Sequence, residues 1–311
     1  MMLSRTAAAL YWMGRYVERA DFTARLIEAT VRLDALSSRP AGDAAWASAL
    51  NVIEATEAFA LLGQPQQRQH VEPFLLLSTD HPGSILRCLE AARSNARVVR
   101  TALSREAWSA INQAWLTISA HKTIPDNTSL ALIARLQVDV LSFTGAIARM
   151  LFHPSLMFIH LGAAVERADN TARLLEVKYH ILLPEGERVG GAIDRDQWTT
   201  ILQTVSAVNA YRMLYREGLN VTNVIEFLTL RAEFPRSLVA CVGEVERQLR
   251  NIAQVTDYFG QADSLAMTRH ANFKRTSVGQ IVGEGLHEYL EDFLAQNAML
   301  DEAIGRQFRF V

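Results

Sequence analysis

The chain has 311 residues, half of them hydrophobic and 21% charged, with 31 Lys and Arg against 33 Asp and Glu for a formal net charge of −2. That composition can bury one large core or two ordinary domains, and it supplies no basic field to hold a polyanion, so nucleic acid is excluded as an expected partner. No apolar run approaches the roughly 18 residues that cross a bilayer. The two cysteines, Cys88 and Cys241, are too few for a disulfide framework or a cysteine-rich metal site. The expectation is a cytoplasmic protein with no membrane association.

A helical pattern starts at Ser4, a plausible N-cap, and runs to about Leu36, ending before Ser-Ser-Arg-Pro-Ala-Gly. The apolar stretch Ala7 to Met13 reads as the first turns of this helix and not as a leader. Within it lies VERADFTARLIE, Val17 to Glu28, which returns as VERADNTARLLE, Val165 to Glu176, identical at ten of twelve positions with an offset of 166 − 18 = 148. A match of that length at one offset is the mark of an internal duplication with a long period.

A second helical pattern begins near Trp46 and stops at Gly63, and its counterpart starts at Trp198, with Asp194 and Gln197 in capping-box spacing. Val71 to Leu89 aligns with Val224 to Val242 (241 − 88 = 153), so that Phe74 and Phe227, Pro82 and Pro235, Ser84 and Ser237, and Cys88 and Cys241 coincide. Each copy reads as a short helix, a turn and a proline-started long helix. A helix over Ser104 to Ala120 follows, then a loop in which Asp126 or Asn127 caps a helix reaching Met150. His153-Pro154 closes the half.

The second half runs through its own motif helix to Leu183, a loop from Pro184 to Gly191, and a final helical pattern from about Ser277 to Gln307, with Leu286, Leu290, Phe293 and Leu294 on its apolar face. Strand-like alternation is absent. The sequence predicts an all-α, internally duplicated helical bundle with two pseudo-symmetric halves, 1–155 and 156–311, of about five or six helices each.

On a helix the repeated stretch carries a small apolar stripe (Met13, Val17, Ala20, Ala24 and their counterparts) beside a polar one. The polar stripe is Gly14, Glu18, Asp21, Arg25, Glu28, matched by Gly162, Glu166, Asp169, Arg173, Glu176. An exposed salt-bridge row contributes little, so its retention in both copies predicts at least partial burial and pairing. Three readings of Glu18, Asp21, Arg25, Glu166, Asp169 and Arg173 stay open: a structural ion-pair network, a ligand or substrate site, and four carboxylates converging on a metal. The histidine that dinuclear helical sites take three residues after a glutamate is here an aspartate, so no metal is assigned. Arg19 and Arg167, about 100° around the helix from the glutamates, are expected to face a different neighbour.

Arg93, Arg97 and Arg100 share a helical face and form a candidate surface for an anion or an acidic partner, with a solvated face as the alternative. Tyr211, Arg212, Tyr215 and Arg216, near Arg236, form a second candidate partner surface, with ordinary packing as the alternative. His160 is expected to pack. No phosphate loop, dinucleotide fingerprint, HExxH or GxSxG occurs, so no cofactor and no catalytic set is assigned.

The segment MLSRTAAALYWMGRYVERAD, the two VERADxTAR helices and the later EFPRS give the chain a resemblance to the bacterial alpha-E family over almost its full length. The resemblance implies neighbours encoded alongside, a circularly permuted ATP-grasp protein and a transglutaminase-like peptidase, and hence an accessory or scaffold role in peptide synthesis or modification. The alternative is an enzyme using the helical Glu/Asp/Arg site on an amide or peptide.

Overall fold

The structure, a computed structural model, describes residues 4–36, 39–125, 128–180, 191–216 and 218–310. All its regular elements are helical, as the sequence predicts. The first 154 residues give α1 (Ser4–Leu36), α2 (Arg39–Val52), α3 (Thr56–Ala60), α4 (Arg68–Leu77), α5 (Ile85–Val98), α6 (Arg105–Ser119) and α7 (Ser129–Ile147). The rest give α8 (Pro154–His180), α9 (Ala192–Thr204), α10 (Val208–Leu214), α11 (Val221–Leu230), α12 (Leu238–Thr256), α13 (Gln261–Phe273), α14 (Val278–Glu284) and α15 (Leu286–Phe308).

Helix α1 is the spine, because its apolar residues enter all three hydrophobic clusters. Leu10 and Met13 pack with Leu161, Ile252 and Leu300; Phe22 and Leu26 pack with Trp198, Phe227 and Leu290; Ala24 and Ile27 pack with Trp46, Leu75 and Leu89. The first two clusters join residues from both sides of position 155.

Several predicted boundaries move for local reasons. The segment beginning at Arg39 is helical rather than a linker, with Pro40 near the helix start where its missing N–H costs nothing. The pattern from Trp46 breaks at Glu54, where φ is +53°, and α3 resumes after it; the pattern from Trp198 breaks in the same way at Ser206, φ +56°. In each break one N–H reaches back five residues, Ala55 to Leu50 at 2.8 Å and Ala207 to Leu202 at 2.7 Å. Asp194 lies inside the first turn of α9 because Gly191 is the N-cap. The terminal pattern is divided by Gly285, φ +111°, into α14 and α15. Asp126, Asn127 and the 184–190 part of the later loop lie outside the described residues.

Helices α5 and α12 start at serine caps, not at Pro82 and Pro235. Ser84 Oγ accepts from Arg87 N at 3.2 Å and donates to Ser78 O at 2.6 Å; Ser237 Oγ accepts from Ala240 N at 3.2 Å and donates to Arg231 O at 2.7 Å. Cys88 and Cys241 then donate to the carbonyls of Pro82 and Pro235. Burial pushes both thiols up to about 12, so they are inert core groups. Ser84→Ala and Ser237→Ala each remove a cap and a second hydrogen bond at a fully buried site. Urea unfolding is expected to show a loss of about 2 kcal/mol for each, and a loss below about 0.5 kcal/mol would mean that the caps are replaced.

One helix departs from the sequence expectation about membranes. α7 is long and apolar enough to cross a bilayer by length and composition, although Arg135 and Asp139 interrupt it with an ion pair of 3.5 Å. Ile133, Leu136 and Phe143 of the same helix are buried against the core.

Candidate functional site

Helices α1 and α8 touch backbone to backbone at two glycines. A Cβ on Gly14 would lie 2.2 Å from the carbonyl oxygen of Ile159, and one on Gly162 would lie 2.0 Å from that of Tyr11. One turn further along each helix stands a Glu-Arg pair, and close approach of the two backbones lets each arginine reach the opposite glutamate. Arg19 bonds Glu166 through Nε at 2.5 Å and Nη2 at 2.9 Å, while Arg167 bonds Glu18 through Nε at 3.1 Å and Nη2 at 2.7 Å. Both are two-pronged guanidinium–carboxylate contacts, the strongest ion-pair geometry available to side chains. Arg19 and Arg167 therefore do not face a neighbour apart from the glutamates, as the 100° separation suggested. Angular position on one helix gives no account of a bond made across to another.

Each glutamate holds a second arginine from a different source. Arg15 Nε meets Glu166 at 2.8 Å, and Arg15 also binds Asp301 of α15, which accepts from Tyr11. Arg236 binds Glu18 and meets Asp21 at 3.1 Å. Arg236 is thus part of the internal network and not an outer docking residue. Arg25 and Arg173 serve the aspartates: Arg25 Nε lies 2.9 Å from Asp21, and Arg173 lies 2.6 Å from Asp169 and 2.6 Å from Glu54. The six arginines and six carboxylates pair in three groups: Arg15 and Arg19 with Glu166 and Asp301, Arg25, Arg167 and Arg236 with Glu18 and Asp21, and Arg173 with Asp169 and the exposed Glu54.

Burial and pairing act against each other on these groups. Burial alone would raise the Glu18 carboxyl, but Arg167 and Arg236 overcome it and hold the group at about 2. Glu166 is likewise depressed by Arg15 and Arg19 against its own burial. Asp169 differs, because burial outweighs its single arginine and raises it. The four carboxylates are occupied by guanidinium groups, and among the described residues no three His, Cys, Asp or Glu side chains are grouped to hold a metal ion.

The two ends of the network are unlike. The position aligned with Arg236 is Gly83 (236 − 153), beside which His81 stacks on Phe74 with centroids 5.1 Å apart. At the other end Phe234 stacks on Phe227 at 4.6 Å. The His81 Nε2 is buried without a hydrogen-bond partner, and burial with Arg19 nearby lowers the ring's pKa. Arg15 supplies at Glu166 the charge that Arg236 supplies at Glu18. Neither Arg15, whose aligned residue is Ala163, nor Asp301 lies in the polar stripe, so the repeat gave no signal for them.

At Arg25 the network reaches an open polar cleft of about 290 Å³, lined by Arg25, Glu28, Arg32, Gln203, Ser206 and Asn209. Arg25 bonds the Ser206 hydroxyl, and Glu28 is held by Arg32 and by Gln137 at 2.9 Å. Ser206 occupies the left-handed backbone region, a strained conformation that persists only where surroundings impose it.

The remaining candidates are dispersed. Arg93 stacks on Trp115 at 4.1 Å and bonds Asn112, whereas Arg100 lies beyond the end of α5 in a 3-10 turn and covers Trp108. Arg97 is exposed. Tyr211 is buried; Tyr215 donates to Glu226 and accepts from Arg231, while Arg212 and Arg216 are exposed. His160 is partly buried, and burial lowers its pKa.

Residues 2–308 match the model of the Alpha-E family, described as a predicted alpha-helical domain with a conserved ER motif. Similar proteins include an uncharacterised protein of Mycobacterium bovis and one of Mycobacterium tuberculosis, each 26% identical over 270 residues, or 80% of this chain. The chain spans about 30% of the length of these relatives. No solved structure matches.

Proposed function

The chain belongs to the Alpha-E family, and we propose that it is an enzyme acting on an amide or peptide substrate in the cleft where the buried network meets solvent. We read the ER motif of the family as Glu18-Arg19 and Glu166-Arg167, the crossed pairs that hold α1 against α8. These pairs set the frame. The chemistry belongs to the cleft beside them.

The observation that carries this reading is Arg25. Its near-counterpart Arg173 is neutralised by two carboxylates, Asp169 and Glu54, but Arg25 has one carboxylate and a serine hydroxyl. A substrate carboxylate or carbonyl that displaces Ser206 would gain a charge-assisted bond without breaking an ion pair. Gln203 and Asn209 offer both donors and acceptors to a peptide group. Glu28, on the same wall, is placed to take a proton from an attacking water or amine.

The test is turnover of a panel of short peptides and peptide amides, followed by chromatography and mass spectrometry. Glu28→Gln is expected to lower kcat by about 100-fold. Arg25→Met is expected to raise KM by about tenfold or more, as for loss of a charge-assisted hydrogen bond. Asp21 keeps Arg236, so the fold survives this change. Absence of turnover in the wild-type protein, or a Glu28→Gln rate equal to wild type, refutes the reading.

A second reading rests on the greater length of the mycobacterial relatives, in which this stretch is one part among others. An accessory role beside an ATP-grasp protein and a transglutaminase-like peptidase, as the family resemblance implies, fits such an arrangement. The ligase would activate a carboxylate, and this chain would hold the peptide. We also read 1–155 and 156–311 as two halves of common descent. The repeated motif, the crossed Glu-Arg pairs and the matched breaks at Glu54 and Ser206 support that history.

A further inference from the structure

A much larger groove lies at the opposite end of α1 from the polar cleft. It has a volume of about 1360 Å³ and is bounded by the starts of α1, α6 and α8 and by the ends of α7, α12 and α15. Ala7 lines the groove and Arg25 the cleft, so the two are separated by about 27 Å at the helical rise of about 1.5 Å per residue. We propose that this groove docks an apolar, acidic peptide segment of a partner protein, independently of the reaction assigned to the cleft.

Size is the first argument. Pockets for small molecules occupy roughly 300–1,000 Å³, and this groove exceeds that range. Its floor is aromatic: Phe158 meets Phe308 edge-on at 4.9 Å, and Phe310 is folded back over both by the left-handed turn at Arg309, φ +54°. Apolar side chains also stand exposed along and beside the rim, among them Leu151 at 81%, Phe152 at 65% and Val255 at 58%. A cluster of that kind around a concavity marks an interaction surface.

Charge selects the partner. The lining contains Arg149 and Arg309 and no carboxylate, and neither arginine makes an ion pair among the described residues. Three helix starts and three helix ends meet here, so their macrodipoles offset one another and the arginines set the sign. An acidic ligand is therefore favoured.

Hydroxyl groups distinguish a peptide from a lipid. Ser4, Thr6, Thr101, Ser104, Ser155 and Thr256 line the same space. Ser104, Ser155 and Thr256 already bond within the protein, but an acyl chain would strip water from Ser4, Thr6 and Thr101 and return no hydrogen bond, whereas a peptide backbone offers a donor and an acceptor at every residue.

The experiment is an array of random hexapeptides probed with the full chain and with an Arg149→Glu/Arg309→Glu variant, both positions being exposed. Expected is enrichment of bound peptides in Asp or Glu together with Leu, Ile or Phe, and at least a tenfold loss of their affinity, read by fluorescence anisotropy, in the variant. Circular dichroism melts establish that the variant is folded. Binding of basic peptides, unchanged affinity in the folded variant, or binding of dodecanoate with no peptide enrichment would each overturn the proposal. So would concentration-dependent self-association abolished by the same double change, since the occupant would then be a second copy. The Glu28→Gln variant should bind the array as wild type does, which separates failure here from failure of the cleft.

Discussion

Gly162→Ala is expected to destabilise the protein by about 3 kcal/mol or more, at the upper end of overpacking costs, and Gly14→Ala by a similar amount. In a helix interior this exchange ordinarily gains about 1 kcal/mol, because alanine has less backbone freedom to lose. Here the added methyl would sit 2.0 Å from Tyr11 O and 3.2 Å from Tyr11 Cα. Those are backbone atoms of a buried helix and cannot rotate away. The helices must part, and parting lengthens the crossed bonds between Arg19 and Glu166 and between Arg167 and Glu18. Gly145, within α7, has nothing within 4 Å of its would-be Cβ, so Gly145→Ala is the control and should be neutral or stabilising. Thermal melts in which Gly162→Ala behaves like Gly145→Ala would remove the claim that backbone contact at the crossing is what admits the ion pairs.

Those two glycines mark what could be read from sequence. The repeat placed Gly14, Glu18, Asp21 and Arg25 on one stripe, and burial of that stripe follows from its retention in both copies; Glu18 and Glu166 are buried, with side chains 8% and 2% exposed. Helical periodicity also located α1, α6 and α8 closely, since amphipathic order survives whatever lies opposite. Partners were another matter. Arg25 and Arg173 stand at i+4 from Asp21 and Asp169 and bind them, but the glutamates are served by Arg19 and Arg167 of the facing helix and by Arg15 and Arg236. Such pairings depend on the crossing angle and register of two helices, which no periodicity within either helix encodes. Arg236 shows the difficulty plainly. The sequence grouped it with the aromatic and basic surface of Tyr211, Arg212, Tyr215 and Arg216, yet it binds Glu18 as Arg15 binds Glu166. Ser206 was invisible for a further reason, as a left-handed turn built on serine lacks the glycine that advertises one.

Loss of Glu18 is expected to cost about 3–5 kcal/mol, the usual penalty for breaking a buried pair and leaving charge unmatched. Glu18→Ala would strand the Arg167 guanidinium, which makes no other ion pair among the described residues, while Arg236 retains Asp21. For comparison, Arg306 and Glu302 are each more than three-fifths exposed, and breaking their pair should change stability by less than about 1 kcal/mol. The acid profile supplies an independent check. Glu18 has its carboxyl lowered from 4.5 to about 2, so its contribution is complete above about pH 4.5 and is lost as pH falls toward 2. Lost over that range is roughly 3 kcal/mol of stability, with little screening at so buried a site. Glu166 is shifted in the same direction, which steepens the loss over the acid range. Glu18→Gln should therefore flatten the dependence of unfolding free energy on pH between about 4.5 and 2, and a slope equal to wild type would show that the carboxylate is not held by its arginines. Adding Arg167→Ala to Glu18→Ala should recover part of the lost stability, because removing both members leaves no stranded charge. A double variant no more stable than Glu18→Ala alone would place the cost in packing around the methylene groups instead of in electrostatics.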